Sequence, residues 1–163
     1  MRRAWRNLTT TPLALRRHFP PPTLAAIDAA CTASEHTHRA EIRCAIEAAL
    51  PLAHLWRGID SAERAVEVFS LLRMWDTAHN NGVLLYVLLA EHRIEIVADR
   101  GFTDRVAAAH WREICAALES AFGAARYEEG ALQAVEAISA LARLHFPANG
   151  KDRNELPDTV ALL

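Results

Sequence analysis

NNGVLLYVLLAEHRIEIVADRG, residues 80–101, carries two apolar runs joined by a short polar connection. The first run, VLLYVLL at 83–89, reads as a strand buried on both faces. The second, IEIVAD at 94–99, alternates, with Ile94, Ile96 and Ala98 on one face and Glu95, Val97 and Asp99 on the other. Ala90, Glu91, His92 and Arg93 are the only residues between them, so the two runs form a hairpin. Ahead of it, His79, Asn80, Asn81 and Gly82 make a turn whose Asn and Gly suit positive φ.

Upstream, EIRCAIEA at 41–48 alternates with Ile42, Cys44, Ile46 and Ala48 on one face and Glu41, Arg43 and Glu47 on the other, which is a further strand broken by Pro51. The loop LAHLWRGI leads to Asp60, which with Glu63 three residues later makes a capping box for a helix running to about Ala78. Ala65, Phe69, Leu72 and Trp75 form its apolar face, with Phe69 and Trp75 as core candidates. An earlier helix, capped by Thr23, extends through about Glu35. Downstream, Thr103 caps a helix to about Phe122 that Gly123 ends, and a last helix runs from about Glu128 to His145 before Pro147. The pattern is that of an α/β protein with a small mixed sheet, a βαβ crossover plus a hairpin, flanked by about four helices.

The 163 residues suit one domain, and 52% hydrophobic content is ample for a single core. Three parts are expected: a basic N-terminal arm at 1–22, the α/β body at 23–146, and a loosely ordered tail at 147–163. A net charge of −2 argues against a nucleic-acid coat protein. Cys31, Cys44 and Cys115 are expected to be buried free thiols. No apolar stretch qualifies as a secretory signal or a membrane span, so the expected location is the cytoplasm, with a peripheral place at the inner membrane as an option and secretion excluded. A monomer is the default expectation.

Charge is uneven along the chain. Residues 1–18 carry five Arg and no acid, and subtracting those from the overall −2 leaves −7 on the other 145 residues. Trp5, Leu8, Leu13, Leu15 and Phe19 lie among those arginines. Two readings follow: the arm packs these apolar residues on the body, or it lies on an anionic membrane surface.

Connectivity suggests where a site would sit. With the first two strands parallel and the third antiparallel to them, the start of strand one, the turn into strand two and the exit of strand three share one edge of the sheet. His79, Asn80, Asn81, Gly82, Arg100 and Gly101 would form a ligand-binding edge there, with Glu41, Asp76, Asp99 and Asp104 as candidate oxygen ligands for Ca²⁺ or Mg²⁺. The acids also have a structural reading: Asp76 terminates a helix, Asp104 sits in the first turn of another, and Asp99 pairs with Arg100 or Arg105. His36 and His38 are two apart without a third ligand at a defined spacing, a weak zinc signal. No P-loop, GxGxxG, GxSxG, HExxH or CxxC occurs, so no nucleotide cofactor is expected.

The run WDTAHNNGVLLYVLLAEHRIEIVADRG, followed by TD and a long helical stretch that closes with RYEEGALQAVEAI, resembles the TPM domain family over about residues 23–146. Asn81 and Gly82 match its Asn-Gly before a buried strand, Arg93 its Arg opening the next strand, and Gly101 the Gly closing that strand. Tyr127 and Gly130 match its later "Tyr, two residues, Gly" signature. The resemblance implies an α/β/α sandwich, with members linked to photosystem repair, membrane-associated complexes, divalent-cation binding and, in a plant member, acid phosphatase activity. Many longer members carry a signal peptide and a transmembrane tail, so this chain is similar to a short bacterial branch. Where many members have a Gly-Tyr-Gly-like turn, this sequence has Asp99, Arg100 and Gly101. The expectation is a binding or assembly module in or near a membrane-associated complex, with a divalent-metal phosphatase as the alternative. In the phosphatase reading Arg100 would clamp the phosphoryl group.

Overall fold

The computed structural model describes residues 2–148, 156–157 and 159–163. Chain order is α1 (Arg2–Thr9), α2 (Pro12–His18), α3 (Pro21–Glu35), β1 (Glu41–Glu47), α4 (Leu52–Arg57), α5 (Ser61–Leu71), β2 (Gly82–Leu88), β3 (Arg93–Ala98), α6 (Ala108–Gly123), α7 (Tyr127–His145) and β4 (Ala161–Leu162). The strand order is β3-β2-β1-β4, with β1 parallel to β2 and β4, and β2 antiparallel to β3.

Register assigns each side chain to a layer. Glu41 pairs with Gly82 and Val83 with Ala98, so Ile42, Cys44, Ile46, Val83, Leu85, Val87 and Ile94 share one face. They pack there against Ile27 and Cys31 of α3, Ile114 and Leu118 of α6, and Val135 and Ile138 of α7. Ala45, Leu84, Tyr86 and Leu88 face the other way, onto Ala65, Val68 and Phe69 of α5 and onto Met74. The result is the three-layer α/β/α sandwich. All seven residues of β2 are buried. No helix among the described residues is long and apolar enough to cross a membrane.

Asp60 and Glu63 form the expected capping box at the start of α5. Other boundaries differ from the sequence reading, each for a local reason. The helix stops at Leu71, not near Ala78, because Arg73 takes a left-handed φ of 55° and turns the chain. Met74 is thereby buried, while Trp75, a core candidate, is 53% exposed. The stretch LAHLWRGI contains α4, closed by Gly58 at φ 75°. Thr23 lies inside α3, and its hydroxyl donates to Glu128 of α7 instead of capping. Thr103 caps nothing: Arg100–Phe102 is a 3₁₀ turn that buries Phe102, and α6 begins only at Ala108.

The termini are more ordered than the sequence suggested. The N-terminal arm is helical, with Leu15 and Phe19 buried in the main core. In the tail, β4 adds to β1: the Leu163 amide donates to the Ile46 carbonyl at 3.0 Å, and the Val160 amide to Asp28 Oδ1 at 2.7 Å. The apolar VALL terminus supplies that strand, a pattern too short to read as one from sequence. The rest of the expected loose tail, at 149–155 and 158, lies outside the described residues.

Candidate functional site

The turn into β2 is built from Thr77 to Gly82. The Asn81 amide donates to Thr77 Oγ1 at 3.0 Å, and Asn80 holds the left-handed φ of 52° that closes the turn. Gly82, expected to supply positive φ as well, serves a different purpose. It opens β2, and a Cβ there would fall onto the Met74 carbonyl, so glycine is required by close approach of two backbones.

Two further segments lock onto this turn. The Gly101 amide donates to the Asn80 carbonyl at 2.9 Å, and the Asp99 amide to the Gly82 carbonyl at 2.8 Å. A Cβ on Gly101 would stand 2.5 Å from the Asn80 oxygen and 2.9 Å from the His79 oxygen, so this glycine also permits close contact. From the other side, Asn81 Nδ2 donates to the Arg39 carbonyl at 2.5 Å, and Arg39 Nη1 lies 3.2 Å from His79 Nε2. The start of β1, the turn into β2 and the exit of β3 therefore meet at one edge, as the connectivity required.

His79, Asn80, Asn81, Gly82, Arg100 and Gly101 all lie in the segments that meet there. The four candidate metal ligands do not assemble into one cluster. Glu41 is buried in register with Gly82, and Asp99 flanks Gly82 from the β3 side, so these two bracket it. Asp76 and Asp104 are exposed; Asp104 sits in the turn before α6 and not in a helical first turn. Asp99 Oδ1 accepts from the Arg100 amide at 2.7 Å, a cap instead of the expected ion pair. No group of three or more His, Cys, Asp or Glu able to hold a metal occurs among the described residues.

Two acceptor atoms at this edge are buried without a hydrogen-bond partner, Asn81 Oδ1 and Asp99 Oδ2. Asn81 is only 1% exposed. Leaving such an acceptor unsatisfied costs about 1–3 kcal/mol, so each of the two atoms has capacity for a further hydrogen-bond donor. Sequence reasoning missed Arg39 and Thr77, which orient Asn81. Their contacts span 42 and 4 positions, and only the shorter could be sought in a local pattern.

A family model described as the TPM domain matches residues 17–141. The chain belongs to the TPM domain family. Among solved structures, it is similar to the NMR structure of the BA42 protein from the psychrophilic bacterium Bizionia argentinensis, with 28% identity and a TM-score of 0.77 over 87% of this chain and 93% of that one. No curated protein matches. In this TPM domain, the residues that suggested the family have physical tasks. Asn81, Gly82 and Gly101 knit the edge together, and Gly130 lets α7 approach α6, since a Cβ there would lie 2.7 Å from the Ala121 Cβ. Tyr127 packs against Phe19 and Phe122, at ring-centroid distances of 5.7 and 5.0 Å.

His38, just before β1, is buried with Nε2 3.3 Å from the Ser139 hydroxyl. Burial, helped by the charge of Arg143, holds its pKa down to about 4, against weaker opposition from the Ala40 backbone and Glu136. The unfolded chain takes up this proton near pH 6.5 and the folded chain only near 4, so the stabilisation is complete above about pH 6.5 and is lost as pH falls through that window. Urea unfolding should show about 3 kcal/mol more loss between pH 7 and pH 4 in the native sequence than in His38→Gln. Parallel pH profiles would reject the assignment.

Proposed function

We propose that this TPM domain is a binding module whose functional edge takes a divalent cation through oxygen donors and uses it to engage a membrane-associated assembly. The supporting observation is the pair of buried, unpartnered acceptors Asn81 Oδ1 and Asp99 Oδ2, held on one edge by backbone bonds from Gly101 to Asn80 and from Asp99 to Gly82. An amide carbonyl and a carboxylate are hard oxygen donors of the kind Ca²⁺ and Mg²⁺ select, and water and backbone carbonyls complete such shells. Binding is favoured over hydrolysis because, of the four candidate acids, Glu41 and Asp99 bracket Gly82 while Asp76 and Asp104 are exposed and the four form no common group able to hold a metal.

Ca²⁺ or Mg²⁺ titration followed by NMR should give saturable shifts confined to residues 77–82 and 99–101. Asp99→Asn, which keeps the shape and the cap to Arg100, should weaken binding by about tenfold or more through loss of the charge. Diffuse, unsaturable shifts would reject the reading. The phosphatase alternative rests on Arg100, exposed beside Asp99, as a phosphate clamp. Metal-dependent phosphate release from an aryl phosphate, abolished by Asp99→Asn at unchanged melting temperature, would replace the binding reading with it.

A further inference from the structure

Helix α1 is turned inside out. Arg3 and Asn7, four apart and so on one face, point at the protein: Arg3 Nε donates to Glu91 at 2.8 Å and Arg3 also reaches the Ile59 carbonyl. Asn7 donates to Glu91 at 3.0 Å and accepts from the Leu50 amide at 2.7 Å. The apolar residues face outward, with Trp5 70% and Leu8 59% exposed. An ordinary surface helix does the reverse, burying its apolar stripe and presenting polar residues to water.

The anchor points of α1, Leu50 and Ile59, bracket α4, so the two helices lie at the same end of the sheet. On α4, Leu52 and Trp56 are again four apart and again exposed, at 56% and 90%. Leu13 of α2 is exposed as well, and Ala14 and His18 of α2 border one cavity with Val87–Leu89 at this same end. Arg6, Arg16, Arg17 and Arg57 are exposed on these elements; of the acids nearby, Glu91 is paired with Arg3 and Glu67 with His54 and Arg64, while Asp60 and Glu63 cap α5 and keep their charge, so the cations stay in excess. Tryptophan and leucine set among an excess of arginines match the boundary of an anionic bilayer, where indole rings sit at headgroup depth and guanidinium groups meet lipid phosphate.

We propose that the α1–α4 end is a peripheral docking surface for an anionic lipid membrane, with Trp5, Leu8, Leu52 and Trp56 entering the interface. This names the membrane contact of the assembly reading above but does not depend on the cation site. That edge lies at the start of β1 and β2, and the docking surface at their other end. Seven residues of strand separate them by about 20 Å, so a docked molecule presents its candidate edge away from the bilayer.

The test is co-sedimentation of the intact chain with vesicles of phosphatidylglycerol and phosphatidylcholine, or of phosphatidylcholine alone, in EDTA so that the cation edge plays no part. Binding to the anionic vesicles alone, weakening as salt rises, is the expected result. Trp5→Glu with Trp56→Glu should lower the partition about tenfold at unchanged melting temperature. Trp75→Glu, exposed in the loop before β2, should leave it intact. Equal sedimentation of the native and doubly substituted chains would overturn the proposal. So would a dimer in sedimentation velocity that the double substitution abolishes, since a second copy would then be the occupant.

Discussion

Replacing Arg64 by methionine is expected to destabilise the fold by about 3–5 kcal/mol, because it strands a buried carboxylate. Arg64 holds Glu47 with two parallel bonds, Nε and Nη2 each 2.9 Å from a carboxylate oxygen, and both residues are buried. The Tyr86 hydroxyl donates to the same carboxylate at 2.6 Å, and Arg64 Nη1 reaches Glu67 at 3.1 Å. Burial and the Glu47 carboxylate together push the ionisation of Tyr86 up, so its hydroxyl remains the donor. At this chain length the melting temperature should fall by on the order of 10 °C. Tyr86→Phe removes one donor and should cost about 1–2 kcal/mol. Replacing Glu47 by leucine in the Arg64→Met background should recover much of the loss, since the uncompensated charge goes with it. Urea midpoints at constant slope measure all three. A loss below about 1 kcal/mol for Arg64→Met would show that water reaches Glu47 and that the ion pair is not desolvated.

Gly82→Ala should cost about 3 kcal/mol or more and disable the candidate edge at the same time. The added methyl would overlap the Met74 carbonyl oxygen and stand 3.0 Å from its carbon. Neither backbone can retreat easily: Met74 is fully buried with its amide bonded to Phe69, and Gly82 lies between β1 and the Asp99 amide. The strain should appear as NMR shifts across 77–82 and 99–101 together with loss of any saturable cation response. Gly123→Ala is the control, since a Cβ there meets nothing within 4 Å, and its stability should change by less than about 1 kcal/mol. Equal behaviour of the two substitutions would show that the Met74 contact yields readily.

Strands β1, β2 and β3 and the position of the edge were readable in advance because they depend on local signals. Alternation at 41–47, the unbroken run at 82–88 and the short connection to 93–98 each carry their meaning within one element. The capping box at Asp60 and Glu63 is likewise a three-residue signal. The candidate ligand set was less readable. Asp76 and Asp104 lie near the edge in sequence, but Arg73 reverses the chain before Asp76, and a 3₁₀ turn precedes Asp104. Trp75 went astray for the same reason, because a helical period continued past Leu71 assigns it to a face that the real chain never forms.

By itself, the sequence determined the α/β class, the mixed connectivity of β1, β2 and β3, and the edge where Asn80 and Gly101 meet, since side-chain period and turn chemistry are properties of consecutive residues. Tertiary structure alone decided that Glu47, on the presumed polar face of its strand, is buried against Arg64 and Tyr86, 17 and 39 positions away. It alone decided that Asn81 is oriented by Arg39, that VALL becomes a strand, and that α1 buries its polar face. Each of these depends on which elements the register brings side by side. A residue's polarity records what it can satisfy, whereas its partner is chosen by neighbours distant in the chain.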